Sequence, residues 1–185
     1  MDTPQPGHFW KTPFFWTPGC KPPEPVAQLT FHAAELDWLE DAIAVVMETS
    51  PDESDRAALT ELGSAGASRE LLAVDTDHFE LRPDWWACAR DSAGEPVGFV
   101  LPVLLRPQRY WKEGKSQGTI YYMGVLPASR GKGYAAELLA QATRLLIAAD
   151  CWRIFCDTSS HNEPMLKAFR RAGYEERTPW QRPLR

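Results

Sequence analysis

Residues 124–139 read GVLPASRGKGYAAELL, and this stretch constrains the chain more than any other. An apolar run ends at Leu126, Gly131 and Gly133 follow, and then Ala135, Leu138, Leu139, Ala142, Leu145, Leu146 and Ala149 recur at helical spacing. A helix with one apolar stripe must bury it, and the run before the turn, TIYYMGVL, reads as a strand. The chain therefore passes from a sheet through a glycine turn into a helix that packs back on that sheet. Glycines at a helix start leave backbone N–H groups uncovered at the positive end of the helix dipole, where an anion gains roughly 0.3 to 2 kcal/mol. A phosphate-bearing ligand is the expected occupant of such a turn.

The other segments fit one layered domain, and 185 residues with 44% hydrophobic content supply one substantial core but not two. Val26 to Phe31 is a candidate strand. Leu36, Leu39, Ile43, Val46 and Met47 then mark a helix that Ser50-Pro51 ends, and a weaker helical segment follows at Arg56 to Leu62, with Gly63 and Gly66 as stop signals. Residues 67–84 carry no clear pattern. Two strands joined by a turn at Asp91 to Glu95 come next, with Pro102 implying a bulge or an edge in the second. After the strand and helix around the glycine turn, CWRIFCD is a short strand, Pro164 to Ala172 a helix, and YEER and WQRPL a closing pair. The order βα(α)ββ(β)αβαββ predicts an α/β (α+β) fold, a mixed sheet with helices on its faces.

Residues 1–25 stand apart. Seven prolines lie among Phe9, Trp10, Phe14, Phe15 and Trp16, a composition unsuited to a solvated linker, a helix or a central strand. The expectation is an N-terminal arm over 1–25 packed on the surface of a domain spanning 26–185, covering an apolar patch or walling an acceptor pocket.

Bulk charge and cysteine usage narrow the partners. A formal net charge of -5 argues against nucleic-acid binding through an overall basic surface. Cys20, Cys88, Cys151 and Cys156 form neither a CxxC pair nor a dense disulfide pattern, so reduced thiols in the cytoplasm and no zinc or other metal site are expected. No apolar run approaches the ~20 residues of a membrane span, so no membrane role is expected.

Three ligand classes compete for the glycine turn. A P-loop needs a glycine where Leu126 stands and Ser or Thr where Gly133 stands, so that pattern fails. Gly131-Lys132-Gly133-Tyr134-Ala135-Ala136 spells the GxGxxA of dinucleotide folds, but Pro127 to Arg130 separate it from the strand and only one further strand–helix unit follows. The third class rests on a resemblance. Val125 through Ala135 resembles the acetyl-coenzyme A signature of the Gcn5-related N-acetyltransferase (GNAT) family, Arg/Gln-x-x-Gly-x-Gly/Ala, with Arg130, Gly133 and Ala135 in place. HNEPMLKAFRRAGYEE is similar to the family's second block, through Asn162, Phe169, Gly173 and Tyr174.

The resemblance implies a single GNAT-like domain with a mostly antiparallel sheet and splayed central strands. It implies that backbone N–H groups of Arg130, Gly131, Lys132, Gly133, Tyr134 and Ala135 hold a pyrophosphate, the side chains of Arg130 and Lys132 adding charge. Met123, Gly124 and Val125 would pair their backbone with the pantetheine arm, and Asn162 and Phe169 would lie beside it, Asn162 also suiting a helix N-cap. The expected reaction is that of an acyltransferase, moving an acetyl group from acetyl-coenzyme A to a primary amine of a small molecule or peptide. Partners are then acetyl-coenzyme A and an amine acceptor, with a homodimer as an open option. The alternative is a non-catalytic acyl-coenzyme A sensor, because two usual residues are missing. Phe169 replaces a Tyr that protonates the leaving thiolate in many members, and the strand before the signature offers Tyr121 and Tyr122 where many carry Glu.

An acceptor ammonium of pKa ~10.4 must lose its proton, at a cost of about 4 to 5 kcal/mol at pH 7. Asp157, Tyr122 and His161 are the candidate catalytic groups for that step. Glu48, Asp52, Glu53 and Asp55 form an acidic loop that could draw in a cationic amine such as a polyamine or amino sugar, or could be no more than a solvated loop.

Overall fold

The computed structural model describes residues 3–23 and 28–184. The elements run β1 (His8–Trp16), β2 (Thr30–Ala33), α1 (Leu36–Glu48), α2 (Glu53–Leu72), β3 (Phe79–Glu80), β4 (Ala87–Arg90), β5 (Pro96–Leu105), β6 (Gln117–Val125), α3 (Tyr134–Ala148), β7 (Arg153–Ser159), α4 (Glu163–Arg171), β8 (Glu175–Glu176) and β9 (Trp180–Pro183). The strands form one sheet in the order β2-β4-β5-β6-β7-β1-β8, with β3 also on β5 and β9 also on β1. Every pairing is antiparallel except β6 with β7, so the sheet is mixed and mostly antiparallel, as expected.

Each face of the sheet buries one helix pair. α3 and α4 cover one face, where Leu138, Leu139 and Leu146 are fully buried against Val97, Val100 and Ile154. α1 covers the other, with Leu39 and Ile43 against Phe99, Leu101 and Val103, and α2 packs beside it. A fully buried leucine of this kind contributes about 1.5 to 3 kcal/mol relative to an exposed one. The stripe read from the sequence of α3 is the side that is buried.

Several expectations need correction. The described part of the expected arm, residues 3–23, is not a surface arm: β1 is an internal strand, running antiparallel to β7 from Lys11↔Ser159 to Trp16↔Ile154 and carrying β9 and β8 on its other edge. Pro13 is tolerated because it falls between those two ladders, β9 pairing residues 8–11 and β8 pairing Phe14 and Phe15, so its missing N–H costs no hydrogen bond there. The closing strands therefore pair with β1 and not with each other. Gly63 ends one helical run, as its stop signal implies, and a second run follows it within the span of α2. The break lies at φ 68° and ψ 174°, and the second run reaches Leu72. The unassigned region holds that second half and β3. The strand expected at Val26 to Phe31 begins at Thr30; residues 24–27 lie outside the described ones.

Candidate active site

Two strands that obey different partners create the site. β6 follows β5 and β7 follows β1, and the two pair with each other only through Gln117↔Arg153, Gly118↔Ile154 and Thr119↔Phe155. Beyond Thr119 they separate. The β5–β6 register shifts at Leu101/Pro102, which leaves Tyr121 as the extra residue of a bulge that bends β6 away, the feature Pro102 signalled. A cleft of 1410 Å³ opens between the strands, and the glycine turn, the start of α2 and α4 line it.

At one end lies the turn. Gly131 and Gly133 have φ of 80° and 86°, a left-handed geometry that side chains resist, and a Cβ added to either would meet no atom within 4 Å. Open space beside both glycines is room for a ligand. The first hydrogen bond of α3 is Ala136 N–H to the Gly133 carbonyl at 3.1 Å, so the amides of Gly131 to Ala135 precede the helix ladder, whereas the Arg130 N–H, expected among the phosphate donors, goes to the Pro127 carbonyl at 3.3 Å. Arg130 lines the cleft but is tied down: its guanidinium donates to the Thr49 hydroxyl at 2.7 Å, the Thr49 carbonyl at 3.3 Å and the Val125 carbonyl at 3.2 Å, joining the turn to the end of α1. Lys132 is exposed, with its ammonium 5.9 Å from the centre of the Tyr134 ring, and stands outside the cleft lining.

Along the cleft, Met123, Gly124 and Val125 present the free edge of β6. A Cβ on Gly124 would lie 2.7 Å from Val46 of α1, so glycine here is required for the helix to approach the strand. Asn162 lines the cleft and caps α4, accepting from Met165 N–H at 3.3 Å, so the expected N-cap is present. Phe169 reaches the cleft wall but is 3% exposed, stacked on Phe14 at 4.7 Å and edge-on to Tyr174 at 5.2 Å.

At the other end is a buried polar cluster. Lys11 of β1 donates to Asp52 at 2.8 Å and lies 3.6 Å from Asp157 of β7. Asp52 also caps α2 through Ser54 N–H at 2.9 Å and accepts from Ser159 N–H at 3.0 Å. Burial works to raise the Asp52 pKa, but the Lys11 charge and these hydrogen bonds outweigh it and hold the carboxyl below its ordinary value. Asp55, one helical turn on, accepts from the Tyr122 hydroxyl at 2.9 Å. Its pKa is raised, first by burial and then, against a hydrogen bond from Ser50, by the neighbouring Asp52 charge. Burial and the two aspartates likewise push the Tyr122 hydroxyl well above its ordinary value.

Of the three candidate catalytic groups, the structure brings Tyr122 and Asp157 to the cleft. His161 is not brought there: it is exposed, its Nδ1 is 2.6 Å from Glu53, and it stands apart from the lining. The expected acidic loop divides, and of its four acids only Glu48 is exposed. Asp52 and Asp55 are 8% and 7% exposed and face the cleft, whereas Glu53 turns to Ser159 and His161. Lys11 went unread in the sequence, although it alternates with buried Phe9 in a strand pattern. Among the described residues no group of three or more His, Cys, Asp or Glu is placed to hold a metal, all four cysteines are unpaired, and no helix is long and apolar enough to cross a membrane.

Known proteins share this architecture. Residues 50–174 match the acetyltransferase (GNAT) family. Among solved structures, a GCN5-related N-acetyltransferase from Sphaerobacter thermophilus aligns at 18% identity and a TM-score of 0.54, over 98% of this chain and 53% of that one. One from Kribbella flavida aligns at 18% and 0.54, over 95% of this chain and 59% of that one. A GCN5-related glucosamine N-acetyltransferase region of a fungal multi-domain β-N-acetylglucosaminidase aligns at 13% and 0.56, over 93% of this chain and 20% of that one. At these identities the likeness is one of fold, and the chain spans between a fifth and three fifths of the length of these structures.

Proposed function

The chain belongs to the acetyltransferase (GNAT) family, and we propose that it transfers an acetyl group from acetyl-coenzyme A directly to a primary amine of a small molecule or peptide. The observation that carries this reading is the single cleft joining an amide-lined glycine turn to a buried acidic cluster past the splayed strands. Such a cleft suits a ligand with a diphosphate at one end and a reacting group at the other. Open space at the two left-handed glycines and the unpaired edge of β6 fit the diphosphate and the pantetheine arm of coenzyme A. When bound, acetyl-coenzyme A supplies the thioester whose acyl carbon the amine attacks.

The chain's own residues do the rest. Amides at Gly131 to Ala135 bind the phosphates, and the edge of Met123 to Val125 orients the arm towards the acids. Asp52, Asp55 and Asp157 outnumber Lys11, so the acceptor end is net acidic and attracts an ammonium. The unpaired cysteines suit a reducing compartment, and a cytoplasmic location is part of the reading.

Titration calorimetry tests it with acetyl-coenzyme A, with NADPH for comparison and Gly133→Glu as control. A carboxylate in the cradle and a side chain at φ 86° should weaken acetyl-coenzyme A binding at least about tenfold, or about 1.4 kcal/mol. Preference for NADPH would return the turn to the dinucleotide class. A second reading, an acyl-coenzyme A sensor without turnover, is favoured by Phe169, which places an aromatic core residue where a general acid would stand. Acetylation of any member of a primary-amine panel would reject it.

A further inference from the structure

Asp55 occupies the third position of α2, where an acid ordinarily reaches back to the N–H of the capping residue. Here that N–H, on Asp52, goes to the Ser50 hydroxyl at 3.1 Å, and Asp55 instead accepts a hydrogen bond from the Tyr122 hydroxyl at 2.9 Å. Both side chains line the cleft from opposite elements, one on α2 and one on β6. Lys11 is engaged by Asp52 and Asp157, and among the described residues no cation lies within ion-pair distance of Asp55. This acid is therefore spent neither on capping the helix nor on an ion pair.

We propose that Tyr122 and Asp55 form a two-member proton relay for the incoming ammonium, with Tyr122 touching the amine and Asp55 the positioning residue and proton store behind it. The proposal rests on the acetyl-transfer reading above. The N–H bond of the ammonium breaks as an O–H bond forms at Tyr122 Oη; the original O–H bond of Tyr122 breaks as one forms at Asp55 Oδ2. The amine keeps the N–H electron pair as the lone pair that attacks the acyl carbon. Tyr122 is a neutral phenol before and after, and Asp55 changes from carboxylate to acid.

The surroundings favour such a paired transfer over a tyrosinate. Burial, then the charges of Asp55 and Asp52, oppose ionisation of Tyr122 despite Arg130 nearby, so its proton leaves only as another arrives. Burial and the Asp52 charge make Asp55 hold a proton more tightly than an ordinary carboxylate, which improves it as an acceptor, while Ser50, Tyr122 and Lys11 act in the other sense. Asp157 meets this group of charges through Lys11.

Asp55→Asn is the decisive variant because its amide oxygen still accepts from Tyr122. Tyr122→Phe breaks the relay at the other member. With the amine that the wild type acetylates fastest from a panel, each variant should lose at least about 100-fold in kcat. KM should stay nearly unchanged, and the double variant should be no slower than either single one. The wild-type rise of kcat/KM with pH that reports Asp55 should vanish in Asp55→Asn. Wild-type rates in Asp55→Asn, or losses that multiply in the double variant, would overturn the relay. A carbon-13 titration of the Asp55 carboxyl decides the matter independently of turnover: an ordinary carboxylate pKa, unmoved by Tyr122→Phe, also overturns it. Failure of the wild type to bind acetyl-coenzyme A is a separate result that rejects the transferase reading.

Discussion

Asp52 and Asp55 sit three residues apart in one helical turn, and the fold pulls their proton affinities in opposite directions. Asp52 is held low by Lys11, so its contribution to stability is full above the unfolded pKa of ~3.9 and is lost as pH falls through its lower folded value. Asp55 is held high, so the folded state prefers its acid form, and stability falls as pH rises from ~3.9 through its folded value. Asp52→Asn keeps the helix cap but strips Lys11 of its nearer partner and should cost about 3 kcal/mol at pH 7. Asp55→Asn should instead stabilise the protein at pH 7, with the gain disappearing below about pH 4. Urea denaturation of both variants across pH measures the pair of signs; a loss of stability in both at pH 7 would contradict this account of Asp55. The acids were legible in the sequence as a charged loop, but their burial was not. The hint lay in their spacing with the buried Ala58, since 52, 55 and 58 share one face of a helix.

The element that sequence reading missed is β1, and the reason is local. Prolines and crowded aromatics argue against a central strand because proline normally removes a ladder bond, yet Pro13 falls in the gap between β9 and β8. Phe14 and Trp16 then face α3 and α4, while Phe9 and Lys11 face the cleft. An integral strand and a surface arm differ by a measurable amount. Phe14→Ala should cost about 3 to 5 kcal/mol, because it removes a fully buried ring stacked on Phe169, where loss of a patch cover would cost under about 1 kcal/mol. Denaturant midpoints separate the two. By contrast α3, the β4–β5 hairpin and the bulge at Pro102 were readable, since each follows from a short-range pattern: a stripe, a turn between apolar runs, a proline in a strand. What pairs with what across more than a hundred residues leaves no such local mark. For this reason the glycine turn was legible and Lys11, brought to Asp52 across 41 residues, was not.

On the scale of the whole molecule, a net charge of -5 would repel a polyanionic ligand, and the protein meets this by sorting charge along one cleft. The amide turn and the exposed Lys167 and Arg171 of α4 line the cleft and would serve the nucleotide on the proposed reading, whereas the acids that would attract the amine are buried at the start of α2. Salt distinguishes these two populations, because exposed charges are screened over a Debye length and buried ones much less. Raising ionic strength from about 0.01 M to about 0.15 M shortens that length from about 30 Å to about 8 Å. Over this range the KM for acetyl-coenzyme A should rise several-fold, while the KM for a cationic acceptor rises by less than about twofold. The same comparison with Lys167 and Arg171 replaced by glutamine should flatten the coenzyme response and leave the amine response as it was. A steeper salt dependence for the amine would mean that exposed acids, such as Glu48, recruit it, and that the buried pair acts only after it has arrived.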